Sequence, residues 1–382
     1  MLILSRLEGG LKRVNHASVV VNGLIYSFGG YIGLEKYNVE RPIDVYILNM
    51  VTLRWKELAY SDSGNSANVP FRRYGHSAVA CDNIIYLWGG RREEAACNKL
   101  FLFDTKTRKW SAPKVKGPIP GARDGHSACI FEGFMYIFGG FEEESQEFSD
   151  TVFRFELKTC TWQVVYQLTS DILRRDFLTS VVINDKIYLF GGRSYNGPYY
   201  DNKILELDLQ LMSWCLPVIE GYKPVGRRSH SAVVIDNKMV VFGGYNDITD
   251  EHYNDFNVFD PKTYSWAPVN TIGQDPPCAR RRHCCLAVNS FIYIFGGSCP
   301  LPQATDSEAH HLMEMNDLFV IDPNRTLRSM ALRTVLNYKL DTSTLTTALA
   351  QEVESYSTEN DLICTQLNKL DLKSDEDDHL ST

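Results

Sequence analysis

The residues best placed to do chemistry in this 382-residue chain are arginines. Arg91 and Arg193 each follow directly on a Gly-Gly pair, and Arg228, Arg281 and Arg282 lie between an earlier arginine and a histidine. A guanidinium presents a planar fork of donors that fits a carboxylate bidentately. Several such charges gathered in one concave place repel one another, and an anion relieves them. Anion capture is therefore the chemistry expected, with the open alternative that the arginines bridge neighbouring units through loop carbonyls. Catalysis lacks its parts: the sequence has no nucleophile elbow, phosphate loop or paired-carboxylate motif. His310-His311, with Asp306 and Glu308 near, is the best metal-like cluster. Its spacing fits no closed ligand set, so neither a metal nor a cofactor is expected.

The elements that must position those arginines form a repeat. Gly-Gly pairs stand at 29–30, 89–90, 139–140, 191–192, 243–244 and 296–297, with first glycines 60, 50, 52, 52 and 53 residues apart. Each pair ends an apolar run such as Met135-Tyr-Ile-Phe138, and a Trp follows at 55, 110, 162, 214 and 266. Upstream stands Arg-x-x-His, at Arg13/His16, Arg73/His76, Arg123/His126, Arg227/His230 and Arg280/His283; in the fourth unit Arg175 is followed by Leu178. Each unit holds about four strand signals and no helical period. Two-residue turns are expected at Asn22-Gly23, Asp82-Asn83, Glu132-Gly133, Asp185-Lys186 and Asp236-Asn237. Most recurring residues read as builders of the repeat, and the recurring arginines read that way more than the non-recurring ones.

Six Gly-Gly pairs at a period near 50, joined in register by aromatics, Arg-x-x-His and Trp, resemble the kelch repeat. The fold expected is all-β: a six-bladed kelch β-propeller over residues 1–325, each unit a four-stranded blade. The sixth unit has a third strand, Leu318-Phe-Val-Ile-Asp322, but no Trp follows it. The N-terminal run Leu2–Leu7 is expected to complete that blade and close the ring, since an open one leaves exposed edges.

Residues 326–353 leave the repeat. Leu327, Ala331 and Val335 fall at i, i+4 and i+8 on one helical face. A capping helix under the ring is one reading. The segment also resembles an Elongin-binding box, with Ala331 where Cys is usual. Leu345 and Leu349, on to Val353, are similar to a cullin box in which Thr346 replaces Pro. Propeller and box together resemble the kelch-domain substrate receptors of cullin-2 RING ubiquitin ligases. That resemblance implies a non-catalytic adaptor with Elongin B/C, cullin 2 and its RING subunit as partners, and substrate proteins recognised by C-terminal glycine degrons. It implies that Arg193, Arg228 and Ser229 grip the terminal carboxylate, with Arg281 and Arg282 one blade on. Tyr31, Trp88, Arg91, Asp124, Phe141, Glu142, Asp176 and Tyr245 are the further pocket candidates, the aromatics serving to exclude a Cβ. The acidic loop Phe141–Phe148 could take a basic side chain upstream of the glycine, or be a solvated loop tip. A kelch scaffold for cytoskeletal or chromatin partners, without ubiquitin chemistry, is the alternative, and residues 326–353 discriminate the two.

Composition narrows the setting. Residues 354–382 hold eight acids against Lys369 and Lys373, so −6 of the net charge of −8 lies in a tail expected to be disordered. A nearly neutral body gives no reason to expect nucleic acid. No apolar run approaches the roughly 18 residues of a membrane helix, and the N-terminus lacks signal-peptide features. The ten cysteines are scattered, without Cys-x-x-Cys. A reduced, intracellular setting is expected, cytoplasmic with the nucleus as a second compartment.

Overall fold

The computed structural model describes residues 2–33, 41–59, 66–93, 95–167, 173–194, 199–272, 276–301, 312–324, 326–358 and 360. Its strands are short because every apolar run is cut by a two-residue turn or a polar loop. The first sheet takes Ala17–Val21, Leu24–Phe28, Val45–Asn49 and Arg54–Glu57, in that order and antiparallel. The second to fifth sheets repeat this order, each beginning with the strand after the arginine: Tyr74–Cys81, Ser127–Phe131, Asp176–Ile183 and Ser231–Ile235. The sixth sheet runs Cys284–Val288, Phe291–Phe295, Leu318–Asp322 and then the N-terminal strand Leu2–Leu7, paired antiparallel from Ile3↔Asp322 to Leu7↔Leu318. Thr271–Ile272 adds a parallel pairing beyond it.

The turns carry the expected left-handed residues, for example Asn22 (φ 49°) with Gly23 (φ 76°). One expectation shifts. In the fourth sheet Ile183 pairs with Lys186, so the turn is Asn184-Asp185, a residue earlier than the sequence suggested. Asn tolerates the left-handed region better than Lys, and Asn184 has φ 54°.

The core is six apolar clusters, each between successive sheets, the sixth joining the last sheet to the first. The Trp of each unit packs on the aromatic before the previous unit's Gly-Gly. Trp110 meets Phe28 at 5.8 Å, Trp162 meets Trp88 at 5.7 Å and Trp266 meets Phe190 at 5.0 Å. Trp55 of the first unit meets Phe295 of the sixth at 4.9 Å. Burying an aromatic of this size contributes about 2–3 kcal/mol by area alone.

The backbone repeats the same order. Gly30 N–H donates to Arg73 O, Gly140 to Arg175 O, Gly192 to Arg227 O, Gly244 to Arg280 O, and Gly297 to Arg13 O, at 2.8–2.9 Å. Further in, the residue before each histidine position donates to its counterpart in the preceding unit. The bonds run Gly75 to Asn15, Gly125 to Gly75, Phe177 to Gly125, Ser229 to Phe177, Arg282 to Ser229, and Asn15 to Arg282. All six donors have φ between 52° and 68°. Glycine adopts that region freely; Phe177, Ser229 and Arg282 are held there against a steric cost of about 1–2 kcal/mol each.

Two helices follow, α1 (Leu327–Tyr338) and α2 (Thr347–Ser357). α2 runs on to Ser357, past residue 353, where the tail was expected to begin. Tyr356 packs against the core cluster that joins the sixth and first sheets. Asn360 is buried, accepting from Trp55 N–H at 2.9 Å and donating to Leu53 O at 3.2 Å. Polar backbone left over by the turn at Leu53 is what a buried Asn can satisfy, and that clip overrides the tail's polar composition. Residues 361–382, and Asp306, Glu308, His310 and His311, lie outside the described residues. No described helix is long and apolar enough to cross a membrane.

Candidate functional site

The recurring arginines are structural, and the geometry says how. Five of the six turn back into their own unit and donate to the carbonyl of the first glycine sixteen residues on: Arg73 to Gly89, Arg123 to Gly139, Arg175 to Gly191, Arg227 to Gly243 and Arg280 to Gly296, at 3.0–3.3 Å. Most also hold a carboxylate, as Arg280 holds Asp317 through both Nη atoms at 2.6 and 2.7 Å. Arg73, Arg227 and Arg280 are fully buried. A buried guanidinium needs such partners, and these are spent on the fold.

The histidines that follow them line a narrow axial cavity of 110 Å³. Their rings pack on the aromatics of the preceding unit, as His126 does on Trp88 at 4.8 Å and His230 on Phe190 at 5.3 Å. Burial and the nearby arginines push His16, His126 and His230 down to about 3. His76 and His283 are lowered well below the ordinary value for the same reasons. They are neutral packing groups at neutral pH.

The non-recurring arginines behave differently. Arg193 pairs with Asp176 at 3.2 Å, and Arg193 and Arg228 share Asp247 at 3.9 and 3.2 Å. Arg281 lies over the Tyr245 ring, 4.3 Å from its centroid. Arg282 donates to the Tyr31 hydroxyl at 2.7 Å and lies 5.5 Å from the Phe177 ring. Among the described residues, neither Arg281 nor Arg282 has a carboxylate within ion-pair distance. The buried Nε of each has no hydrogen-bond partner there. Desolvation first, then Arg282 and Arg228, lower the Arg281 guanidinium. These four arginines come from the fourth, fifth and sixth units, with Tyr31 supplied by the first.

Across the inner strands lies an acidic counterpart. Burial pushes Asp124 up to about 6, with Asp176 and Glu143 adding to the rise and Arg91 and Arg282 opposing it. Asp176 is also raised by burial, against Arg193, Arg228 and Arg282. Arg91 pairs with Asp124 at 3.6 Å and with Glu143 at 3.5 Å.

Of the expected pocket residues, Tyr245 and Tyr31 touch Arg281 and Arg282. Ser229 is buried in the axial backbone chain. Phe141 packs on Phe148 at 5.8 Å and is half-buried. Trp88 is misassigned as a pocket wall: it is fully buried in the core between the second and third sheets, its indole N–H donating to Asn98 O. The residue before Gly-Gly lies on a strand flank, not on the loop. Glu142 is engaged by structural Arg123 at 2.8 Å, and Glu147 by Arg174 at 3.0 Å, so much of the acidic loop is already paired. Sequence reasoning missed Asp247, the bridge between Arg193 and Arg228, although it stands two residues after Tyr245 in the register of the other loop residues. It also missed Phe177, which replaces glycine at the axial position. Its left-handed backbone has no signature in the sequence.

On the helices, Leu327 is 82% exposed and Leu349 38% exposed. Ala331 is exposed, while Val335 and Leu345 are half-buried. Among the described residues no group of three His, Cys, Asp or Glu could hold a metal ion.

The chain is similar to known kelch-repeat proteins. Residues 75–297 match the KLHDC2/KLHL20/DRC7 Kelch-repeats domain, and residues 12–60 match the Kelch motif. The chain is 39% identical over 369 residues to Kelch domain-containing protein 3 of Homo sapiens, covering 93% of this chain and 96% of that one. It is 30% identical over 272 residues to Host cell factor 2 of Homo sapiens, covering 65% of this chain and 33% of the other. The solved structure of YjhT is similar with a TM-score of 0.61 at 16% identity, over 82% of this chain and 96% of that chain. At that identity the likeness speaks for the fold alone.

Proposed function

The chain belongs to the kelch-repeat family, and on that premise we propose that it is the substrate-recognition subunit of a cullin-2–Elongin B/C RING ubiquitin ligase. Its repeats would form a six-bladed propeller closed by the N-terminal strand. In support, the last sheet's Gly297 donates to Arg13, and the axial bonds return from Arg282 to Asn15. An interaction role is common to the family; the ligase role is the further step.

The observation that carries the recognition half is the pair Arg281 and Arg282. Both are partly buried, both lack a carboxylate among the described residues, and each has a buried donor without a partner. Leaving a buried charged donor unsatisfied costs more than an ordinary hydrogen bond returns. A ligand carboxylate removes that cost and fits the fork of either guanidinium. Arg193 and Arg228, already bridged by Asp247, would complete the cationic wall, and Tyr245 and Tyr31 would hold Arg281 and Arg282 in position. A chain terminus ending in glycine brings such a carboxylate with no side chain beside it.

The assembly half rests on α1. A leucine exposed to 82% on a helix has little packing role among the described residues, and a partner subunit would cover it. The test is co-purification. The full chain, mixed with Elongin B/C and cullin 2, is expected to form a complex that also retains a glycine-ended peptide. Peptide binding without Elongin would leave a kelch scaffold, and a complex that retains the peptide's C-terminal amide as well as the free acid would remove the pocket assignment.

A further inference from the structure

Asp247 differs from the carboxylates that build the fold. Arg280 holds Asp317 through both Nη atoms at 2.6 and 2.7 Å, with the carboxylate buried. Arg227 holds Asp255 through both oxygens as well. Among the described residues Asp247 accepts a single arginine hydrogen bond, from Arg228 Nη2 to Oδ2 at 3.2 Å. The same oxygen stands 3.9 Å from Arg193 Nη1, and the Asp247 side chain is 33% exposed. An exposed, one-pronged ion pair is weak, because water competes for both charges. Nor does its own turn need the Asp247 side chain. Asp247 sits at the tip of the hairpin formed by Tyr245–Asn246 and Glu251–His252. Its neighbours hold that hairpin: Asn246 Oδ1 accepts from Ile248 N–H at 3.0 Å, Asn246 Nδ2 donates to Gly226 O at 3.0 Å, and the Tyr245 hydroxyl donates to Asp250 at 2.9 Å. What remains for Asp247 is its place between two arginines of the cluster.

We propose that Asp247 is an internal competitor: in the free protein it fills the carboxylate position between Arg193 and Arg228, and a ligand's terminal carboxylate takes that position as Asp247 turns out to solvent. The inference rests on the reading of the arginine cluster as a carboxylate pocket. The exchange favours the ligand for two reasons. Its carboxylate can engage a guanidinium through both oxygens, which Asp247 does not. It can also reach Arg281 and Arg282, which have no carboxylate of their own among the described residues. The apparent affinity is then reduced by the fraction of time that Asp247 occupies the place. An anion with too few other contacts fails to displace it, so the competitor adds selectivity. The opposite role, in which Asp247 holds the two arginines ready for the ligand, predicts the opposite sign: removing Asp247 would then weaken binding.

The test measures binding of a fluorescein-labelled peptide ending in glycine, as free acid and as C-terminal amide, to the full-length protein. Wild type is compared with Asp247→Asn and Asp247→Ala, and thermal melts check that each is folded. Both variants should bind the acid roughly three- to ten-fold more tightly, with amide binding unchanged. Glu251→Gln, which removes an exposed acid from the same hairpin, separates displacement from a general change of field. It should alter acid binding less than roughly two-fold, since exposed charges at longer range are screened. Acid binding that is unchanged or weaker in both Asp247 variants, while the wild type still prefers acid to amide, overturns the competitor and leaves the pocket standing. An equal gain in Glu251→Gln, or an equal gain for acid and amide, also overturns it. A wild type that binds acid and amide alike removes the pocket itself, and the competitor with it.

Discussion

Replacing Arg282 by alanine tests the recognition reading most directly. The substitution removes one guanidinium that donates to Tyr31 and carries a buried, unpartnered Nε. It retains a Cβ, so the left-handed strain at φ 57° is unchanged. No carboxylate among the described residues is orphaned, because Arg282 has no ion pair there. The fold should lose about 1 kcal/mol, for the single neutral-acceptor bond to Tyr31. Binding should lose more. A charge-assisted hydrogen bond to a ligand carboxylate contributes about 1.5–3 kcal/mol, or roughly ten- to hundred-fold in Kd. Lysine at the same position keeps the charge without the planar fork, and should lose roughly five-fold. The assay is fluorescence polarisation with a labelled peptide ending in glycine, as the free acid and as the C-terminal amide, alongside a thermal melt. The wild-type protein should prefer the acid strongly, and Arg282→Ala should reduce that preference while amide binding stays the same. Equal binding of acid and amide by the wild type would sink the carboxylate reading. An undiminished preference in both Arg281→Ala and Arg282→Ala would remove these arginines from the pocket.

Leu327→Arg should abolish co-purification with Elongin B/C and leave the melting temperature unchanged, since the side chain is exposed; a retained complex would refute the docking role. Acid should destabilise the protein. Five histidines are held neutral when folded, three of them at about 3, against about 6.5 unfolded. The unfolded chain therefore gains protons first, and stability falls as pH drops below about 6.5, by about 1 kcal/mol per histidine at pH 5.5. Asp124 and Asp176, raised when folded, work in the opposite direction but are two against five. Thermal melts from pH 7.5 to 5.0 would show it, and a melting temperature that holds or rises would contradict it. Arg227→Ala removes a buried guanidinium bonded to Gly243 O and Asp255, and should cost about 3–5 kcal/mol in urea unfolding; a loss under 1 kcal/mol would deny these arginines their structural role. Asn360→Ala should cost about 1–3 kcal/mol by unsatisfying Leu53 O and Trp55 N–H, read in the same assay. No change would mean that the C-terminal segment is not latched to the first sheet.

The sequence by itself determined the repeat. Gly-Gly after an apolar run, Arg-x-x-His before it and Trp beyond it are local patterns with fixed spacing, and period-two alternation with two-residue turns leaves little choice but short antiparallel strands. It also pointed to the last sheet's missing strand, because the sixth unit lacks its Trp and Leu2–Leu7 is the strand-like run left over. Separating Arg193, Arg228, Arg281 and Arg282 from the recurring arginines was possible on recurrence alone, since a residue needed by every unit is spent on every unit.

Only the tertiary structure decided which of those arginines are satisfied. Asp247 bridges Arg193 and Arg228 from a loop of the fifth unit, whereas Arg281 and Arg282 meet rings from the fifth, first and fourth units and, among the described residues, no carboxylate. Such pairings join residues up to 251 positions apart, and no local pattern encodes them. Trp88 turned inward for the same reason: the strand's alternation fixes which side a residue occupies, while the neighbouring sheet decides whether that side is core or opening. Asn360 lay in a stretch whose composition reads as solvated, and only the unpaired backbone at Leu53 and Trp55 gave it a place to bind. Strands follow from contacts a few residues apart, and the site follows from which charges meet when six such units are brought together.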